Sequence, residues 1–319
     1  MKKFIKSIIL FIPYTIVIYL LMLIIWGTLL PGKYNFNLNY RIGSYGHMYS
    51  RMRDVKKVKN IDILILGSSH AYRGFDPRIF QKYGLSAFNL GSSGQTPIQT
   101  KLLLDKYLDK INPKIIIFEV SPLIFSTDGV ESALDLIAND IIDSHTIKMS
   151  IELNHLKVYN TLLYGLFSQL VNLNAGYREP IARRDDTYIP GTGYVEKKPK
   201  YNDEKTADDK RYEINETQLL YFKKVVDMIK SKNISLLLVQ APVTSTLYKS
   251  YGINARFDNI MEQNGNYINY NNRIDLDNFL HFYDLHHLNQ RGVSLFNEML
   301  IQDIIKNKIV NRKERNCHR

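Results

Sequence analysis

Cysteine is nearly absent from this sequence: its 319 residues include only Cys317, close to the C-terminus. That scarcity excludes an intramolecular disulfide framework and any zinc site built on several thiolates. Internal repeats and low-complexity tracts are also lacking. The composition itself, with 45% hydrophobic and 23% charged residues, is typical of a folded globular protein and excludes disordered, collagenous and fibrous chains.

Acidic residues are fewer than basic ones, 31 against 42, which gives a formal net charge of +11. A basic balance is compatible with nucleic acid, with an anionic membrane and with an acidic envelope polymer. Charge alone does not distinguish these partners.

The N-terminal segment bears on which of these partners is expected. Lys2, Lys3 and Lys6 precede an uncharged run over residues 7–30, about 24 residues or roughly 36 Å of helix, against a hydrocarbon core of about 30 Å. Trp26 lies near its far end, where aromatic rings favour the membrane interface. The run exceeds the apolar region of about 7–15 residues in a cleaved signal peptide. We therefore predict an uncleaved transmembrane anchor over 1–32.

The lysines before this run place the N-terminus in the cytoplasm and the rest of the chain outside. A nucleic-acid partner is not expected there, whereas the bilayer is. Residues 33–58 are predicted to form a juxtamembrane connector with one short helix.

Apolar runs bounded by turns are typical of buried parallel strands. They lie at 61–66, 86–90, 114–119 and 234–240, and helical patterns lie at 96–110, 151–172, 215–231 and 290–307. The alternation predicts an α/β fold, a three-layer α/β/α sandwich with a mostly parallel sheet. We place this domain at 59–310, with an insertion at about 140–214 whose second half, 177–214, is a polar loop. A basic tail follows at 311–319.

Polar residues gather where the predicted strands end, the edge at which open parallel sheets bind ligands. Gly67-Ser68-Ser69-His70 follows the first strand, and Asp284 and His287 stand three apart just before the last helix. A serine nucleophile needs a base, and an imidazole base needs a carboxylate to fix its tautomer. The pattern predicts a serine at a strand end as nucleophile, with the Asp284–His287 loop supplying the carboxylate and the base together.

These blocks resemble those of the SGNH (GDSL-like) hydrolase superfamily, which has a flavodoxin-like sheet. Leu66-Gly67-Ser68-Ser69-His70 is similar to the family's Gly-Asp-Ser-Leu block, with Ser68 in the Asp place, and Asp284-x-x-His287-Leu288-Asn289-x-x-Gly292 is similar to its last block. The resemblance implies Ser69 as nucleophile, His287 as base and Asp284 as the carboxylate that orients it. The resemblance implies that the N–H of Gly91 helps to form an oxyanion hole. The family's G-x-N-D block is missing, since the chain reads Phe118-Glu119-Val120-Ser121-Pro122. Either Ser92, Gln95 or another group then supplies the remaining donor, or the activity is slow or absent.

The anchor and the Gly-Ser-Ser-His form resemble those of membrane-anchored SGNH proteins of envelope O-acylation, such as teichoic-acid D-alanyl transfer and alginate O-acetylation proteins. The resemblance implies an extracytoplasmic serine O-acyltransferase or esterase that acts on envelope polymers through an acyl-enzyme on Ser69. It implies no metal or organic cofactor. The implied partners are a multi-spanning membrane acyltransferase as acyl donor and an envelope polysaccharide or teichoic acid as acceptor.

Several alternatives stay open at this point. A non-catalytic binding or assembly protein of an acylation system could keep the same fold, and Gly67–Ala71 is loosely similar to the G-x-S-x-G of α/β-hydrolases. His70 either lines the pocket or only packs, and His286 is expected to be a bystander. The run Arg183-Arg184-Asp185-Asp186 either binds an anionic polymer or is a solvated loop.

Overall fold

The computed structural model describes residues 2–30, 34, 36–43, 45–198, 201 and 212–307. The predicted basic tail at 311–319, with Cys317, lies outside these residues, as does part of the predicted polar loop.

The described helices, in chain order, are α1 (Lys2–Leu29), α2 (Met48–Val55), α3 (Ser69–Gly74), α4 (Pro77–Lys82), α5 (Pro97–Ile111), α6 (Pro122–Phe125), α7 (Val130–Asn139), α8 (Ser144–Leu153), α9 (Leu156–Leu170), α10 (Glu216–Ser231), α11 (Ser245–Ser250), α12 (Asn254–Asn264) and α13 (Gln290–Lys306). The strands are β1 (Ile63–Leu66), β2 (Ala87–Asn89), β3 (Ile115–Glu119), β4 (Ala182–Arg183), β5 (Asp186–Ile189), β6 (Tyr194–Lys197), β7 (Ser235–Gln240) and β8 (Asn266–Asn269).

The central sheet has five strands in the order β2-β1-β3-β7-β8, and every neighbouring pair is parallel. Its first four strands along the chain lie within the four predicted runs, and the predicted α/β fold is confirmed. The sequence pattern does not predict β8. That strand is mostly polar because it lies at the edge of the sheet, where only Ile268 is buried.

Alternate side chains of the central strands enter two separate cores. Leu64 and Leu66 pack in a cluster with residues of α5 and α10, whereas Ile63 and Ile65 pack in a cluster with residues of α4 and α13. All four are fully buried. Since successive side chains of a strand point to opposite faces, both faces of the sheet are covered by helices, which makes the predicted three layers.

Helix α2 lies within the predicted connector. Its Met48, Met52 and Val55 are fully buried in the larger core cluster, and the helix packs against α7. The short helix is therefore present and contributes to the core, while the predicted domain boundaries stay predictions.

The inserted segment differs from its prediction in two ways. The helix expected over 151–172 is present as α9, but it begins only at Leu156 and a separate helix, α8, ends at Leu153, because the chain turns at Asn154 with a left-handed φ of 43°. The expected polar loop contains a three-stranded antiparallel sheet, β4-β5-β6. The strands are only two to four residues long, too short for a clear alternation of apolar and polar residues, so the sequence pattern missed them.

Helix α1 includes a stretch, Phe4–Leu29, that is long and apolar enough to cross a membrane, with a mean hydropathy of 2.8. A signal sequence shares these properties. Part of α1 packs against α9: Tyr19 hydrogen-bonds Asn160, and a Cβ on Gly27 would lie only 2.4 Å from the Tyr164 ring. The apolar helix is thus in contact with the inserted helices.

Candidate active site

The turn after β1 presents Ser69 at the carboxyl edge of the sheet. Gly67 has a φ of 137°, and a Cβ there would lie 2.7 Å from Cβ of Glu119 and 2.9 Å from its carbonyl oxygen. Only glycine fits this close approach of the β1 and β3 ends. Ser68 then caps α3, its hydroxyl accepting from the N–H of His70 at 3.2 Å. Ser69 is the first residue of the helix and is half-buried.

The three residues predicted as a triad are brought together by the fold. Ser69 Oγ and His287 Nε2 lie 2.9 Å apart although 218 residues separate them. His287 Nδ1 lies 2.9 and 3.0 Å from the two carboxylate oxygens of Asp284. Because a carboxylate accepts only, this contact places the ring proton on Nδ1 and leaves the Nε2 lone pair for the serine hydroxyl.

The loop between β8 and α13 holds the Asp284 carboxylate through its own backbone N–H groups. Its Oδ1 accepts from the backbone N–H of His286 at 2.9 Å and of His287 at 2.8 Å. Tyr283 N–H donates to the His287 carbonyl at 2.7 Å. These local bonds hold the carboxylate and the imidazole in one orientation, so a single tight loop supplies both groups.

The electrostatics of the pair follow from burial and contact. Burial lowers the pKa of His287 below its ordinary value of 6.5, although the hydrogen bond and charge of Asp284 oppose this. For Asp284, burial acts to raise the pKa, but the hydrogen bond and charge of His287, together with the two backbone N–H groups, hold it well below its ordinary value. At neutral pH the imidazole is therefore neutral and the carboxylate ionised, as a general base and its orienting group require.

Glu119 lies directly behind the serine turn. Its Oε2 accepts from the N–H of Ser68 at 3.1 Å and from its hydroxyl at 3.0 Å, and its Oε1 is 3.3 Å from Nδ1 of His70. The carboxylate is fully buried. In the sequence, Glu119 stands out only as part of the stretch that replaces the family's G-x-N-D block. A charged residue ending an otherwise apolar strand is the signal that would have identified it.

The neighbouring histidines pack around the triad. His70 is buried, and its ring centroid lies 5.6 Å from that of His287. The ring of His286 stacks on that of His70 at 6.0 Å. His70 thus contacts both the Glu119 carboxylate and the ring of the proposed base.

The loop after β2 contacts the serine turn, but the donors expected from it are bound within the protein. A Cβ on Gly91 would lie 2.9 Å from both Ala71 Cβ and the Gly67 carbonyl oxygen, so glycine permits this contact. The Gly91 N–H donates to Asn89 Oδ1 at 3.1 Å, which engages the donor expected to face an oxyanion.

Ser92 and Gln95 are also satisfied within the protein. The Ser92 hydroxyl donates to Gln95 Oε1 at 2.9 Å, and Gln95 Nε2 donates to Thr100 Oγ1 at 3.0 Å. Both residues are buried. Neither side chain lines the cavity in front of Ser69, where Ser93 stands instead.

A cavity of about 660 Å³ opens in front of the serine and is lined by Ser69, His287, Tyr72 and Ser93. The inserted sheet forms its opposite wall. Arg73 of α3 donates twice to Asp186 at the start of β5, at 2.7 and 2.8 Å. The run Arg183–Asp186 therefore lines the candidate site. Among the described residues, no group of three or more His, Cys, Asp or Glu side chains is placed to hold a metal ion.

Solved structures of similar architecture include a GDSL-like lipase from Bacteroides thetaiotaomicron, with a TM-score of 0.43 and 12% identity, covering 83% of this chain and all of that one. A family 3 carbohydrate esterase from Clostridium thermocellum has a TM-score of 0.38 and 12% identity over 78% of this chain and 97% of that one. The psychrotrophic esterase EstA from Pseudoalteromonas sp. has a TM-score of 0.37 and 14% identity, covering 77% of this chain and 98% of that one.

No family model matches the chain, and no curated protein matches its sequence. The solved structures are distant, with TM-scores below 0.5, so the chemistry of this site rests on its own geometry: a serine, a histidine and an aspartate in one hydrogen-bonded chain at the carboxyl edge of a parallel α/β sheet.

Proposed function

We propose that this protein is a membrane-anchored, extracytoplasmic serine esterase or O-acyltransferase that acts on envelope polymers through an acyl-enzyme on Ser69. The observation that carries the proposal is the hydrogen-bonded chain from Ser69 through His287 to Asp284. The same three groups in this order activate serine hydroxyls on several unrelated folds.

In the first half of the reaction, His287 Nε2 takes the proton of the Ser69 hydroxyl while Oγ attacks the ester carbonyl of the donor. The tetrahedral intermediate then collapses, and the protonated imidazole gives its proton to the departing alcohol. In the second half, water or an acceptor hydroxyl gives a proton to Nε2 and attacks the acyl-serine. Collapse of that intermediate releases acid or new ester and returns the proton to Oγ. Asp284 stabilises the imidazolium in both halves.

The oxyanion of each intermediate needs donors, and the removal of one typically costs about 3–4 kcal/mol of transition-state stabilisation. We assign the N–H of Ser69 as one donor. It lies at the first turn of α3, where backbone N–H groups have no acceptor within the helix. The N–H of Gly91 would have to release Asn89 before it could serve as the second.

The location and partners complete the proposal. The apolar helix α1 would anchor the chain with its domain outside the membrane, beside envelope polysaccharide or teichoic acid as acceptor. A multi-spanning membrane acyltransferase would deliver the acyl group. Whether water or a polymer hydroxyl resolves the acyl-enzyme depends on which of them occupies the cavity.

One observation favours a second candidate, a non-catalytic binding or assembly protein of an acylation system. The Gly91 N–H and the Ser92 and Gln95 side chains all have partners within the protein. A binding protein could keep the triad residues without a complete oxyanion hole.

The deciding experiment uses the full chain in detergent, treated with a fluorophosphonate probe and with 4-nitrophenyl acetate. We expect labelling and acetate release that Ser69→Ala abolishes and that His287→Ala reduces by several orders of magnitude. Ser231→Ala, an exposed serine at the opposite edge of the sheet, is the matched control. Labelling that persists in Ser69→Ala would contradict the assignment. A folded wild type that neither labels nor turns over would favour the binding protein.

A further inference from the structure

The side chains that line the cavity in front of Ser69 carry a net positive charge. Five cationic side chains line it against two carboxylates, an excess of three positive charges: Arg41, Arg73, Arg183, Arg184 and Lys197 against Asp185 and Asp186. They come from three places in the chain, namely the segment before α2, the helix of the nucleophile and the inserted sheet. This convergence places basic side chains where a substrate would enter.

Three of these cations already have carboxylate partners. Asp186 receives two hydrogen bonds from Arg73 and lies 3.4 Å from the Lys197 ammonium. Arg183 lies 3.1 Å from Glu179. By contrast, Arg41 and Arg184 have no carboxylate within salt-bridge distance among the described residues, and both are exposed at the cavity.

A further cation lies behind the cavity wall. Arg51 is fully buried, and its guanidinium donates to the carbonyls of Gly46 and Gly193 at 2.9 and 2.8 Å. It lies 4.6 Å from the ring centroid of Tyr72, a residue of the wall. No carboxylate of the described residues forms a salt bridge with it. The guanidinium hydrogen-bonds neutral carbonyls, and the charges of Asp135 and Glu179 compensate it in part.

We propose that the substrate of this site carries an anionic group, a phosphate or a carboxylate, which binds Arg41 and Arg184 while its ester faces Ser69. This inference rests on the proposed function and specifies its substrate class. Guanidinium groups pair with phosphate and carboxylate through two parallel hydrogen bonds, and a neutral substrate would leave both arginines without a partner. The anionic group can belong to the acyl part or to the alcohol part of the ester.

Two matched pairs of esters test whether the anionic group belongs to the acyl part or to the alcohol part. For the acyl part, 4-nitrophenyl hemisuccinate is compared with 4-nitrophenyl butyrate. For the alcohol part, acetylated glycerol 3-phosphate is compared with monoacetin. In each pair the measured quantity is the ratio of kcat/KM for the anionic ester to kcat/KM for the neutral one, with the full chain in detergent at low salt.

We expect one pair to show a ratio well above one for the wild type. Arg41→Gln and Arg184→Gln should each lower that ratio about two- to fivefold, the range typical of exposed ion pairs, and the double variant about tenfold. The preference should shrink as salt is added. Arg256→Gln, an exposed arginine on α12 outside the cavity, should leave the ratio unchanged. Ratios near one in both pairs, or ratios that neither cavity variant changes, would overturn the inference.

A binding measurement separates this outcome from failure of the proposed chemistry. In Ser69→Ala, which cannot form an acyl-enzyme, calorimetric titration with glycerol 3-phosphate should show binding that glycerol does not, and Arg184→Gln added to that variant should weaken it. Binding without any turnover in the wild type would uphold the anionic site and reject the esterase. Turnover of neutral esters, with neither anion binding nor a preference for anionic esters, would uphold the esterase and reject the anionic site.

Discussion

The carboxylate of Glu119 accepts two hydrogen bonds from Ser68, the residue directly before the proposed nucleophile. The Ser68 N–H donates at 3.1 Å and the Ser68 hydroxyl at 3.0 Å. The carboxylate ends β3 and the serine follows β1, so this contact ties two adjacent strand ends together. It fixes the backbone from which Ser69 projects. Glu119 is therefore a positioning residue for the triad.

Glu119→Met should slow fluorophosphonate labelling of Ser69 by about ten- to hundredfold, since small displacements of a reacting group have effects of this order. Methionine keeps much of the length of the side chain, but it has no oxygen to accept from the N–H and the hydroxyl of Ser68. Labelling rates are measured beside thermal melting, and kcat is separated from KM with 4-nitrophenyl acetate. A positioning role predicts a loss in kcat with little change in KM. Wild-type labelling rates in a folded variant would refute the role.

The pH profile of kcat/KM should show an acid limb with an apparent pKa below 6.5. Burial lowers the pKa of His287, and a general base works only while it is neutral. Activity should thus be steady near neutral pH and fall about tenfold per pH unit below that pKa. Asp284→Asn removes the carboxylate whose hydrogen bond and charge raise the pKa of His287. The acid limb should therefore move to lower pH, while kcat falls by roughly 10⁴. A limb above pH 6.5, or a shift upward in the variant, would be inconsistent with this assignment.

Gly67→Ala should destabilise the protein by at least about 2 kcal/mol, because the new Cβ overlaps Glu119 and φ is positive. Gly84→Ala is the matched control: its φ is also positive, at 75°, but nothing lies within 4 Å of the added Cβ. It should cost about 1–2 kcal/mol from backbone strain alone. Chemical unfolding measures both. Equal losses would show that the contact with Glu119 is unimportant.

Cys317, the only cysteine of the sequence, permits a direct test of the proposed topology. In intact cells a membrane-impermeant maleimide should label it if the chain after α1 lies outside. Cys317→Ser should abolish the label, and permeabilised cells provide the positive control. Labelling only after permeabilisation would place the C-terminus in the cytoplasm and reject the extracytoplasmic proposal.

The sequence by itself determined the fold class and named the three candidate residues of the triad. Residues 63–66 are apolar at successive positions because both faces of their strand are buried, so composition alone indicates a central parallel strand. Asp284 and His287 are three residues apart, and their contact is local enough to be predicted from spacing.

Tertiary structure alone decided what surrounds those groups. Glu119 contacts Ser68 only because β1 and β3 are neighbours in the sheet, a pairing that no local pattern encodes. The inserted sheet reaches the cavity through Asp186 and Arg73, 113 residues apart. Gly91 was expected to present its N–H to the substrate, but the side chain of Asn89 takes it. Short polar elements and long-range ionic contacts leave no periodic signal, since their energy comes from partners distant in the chain.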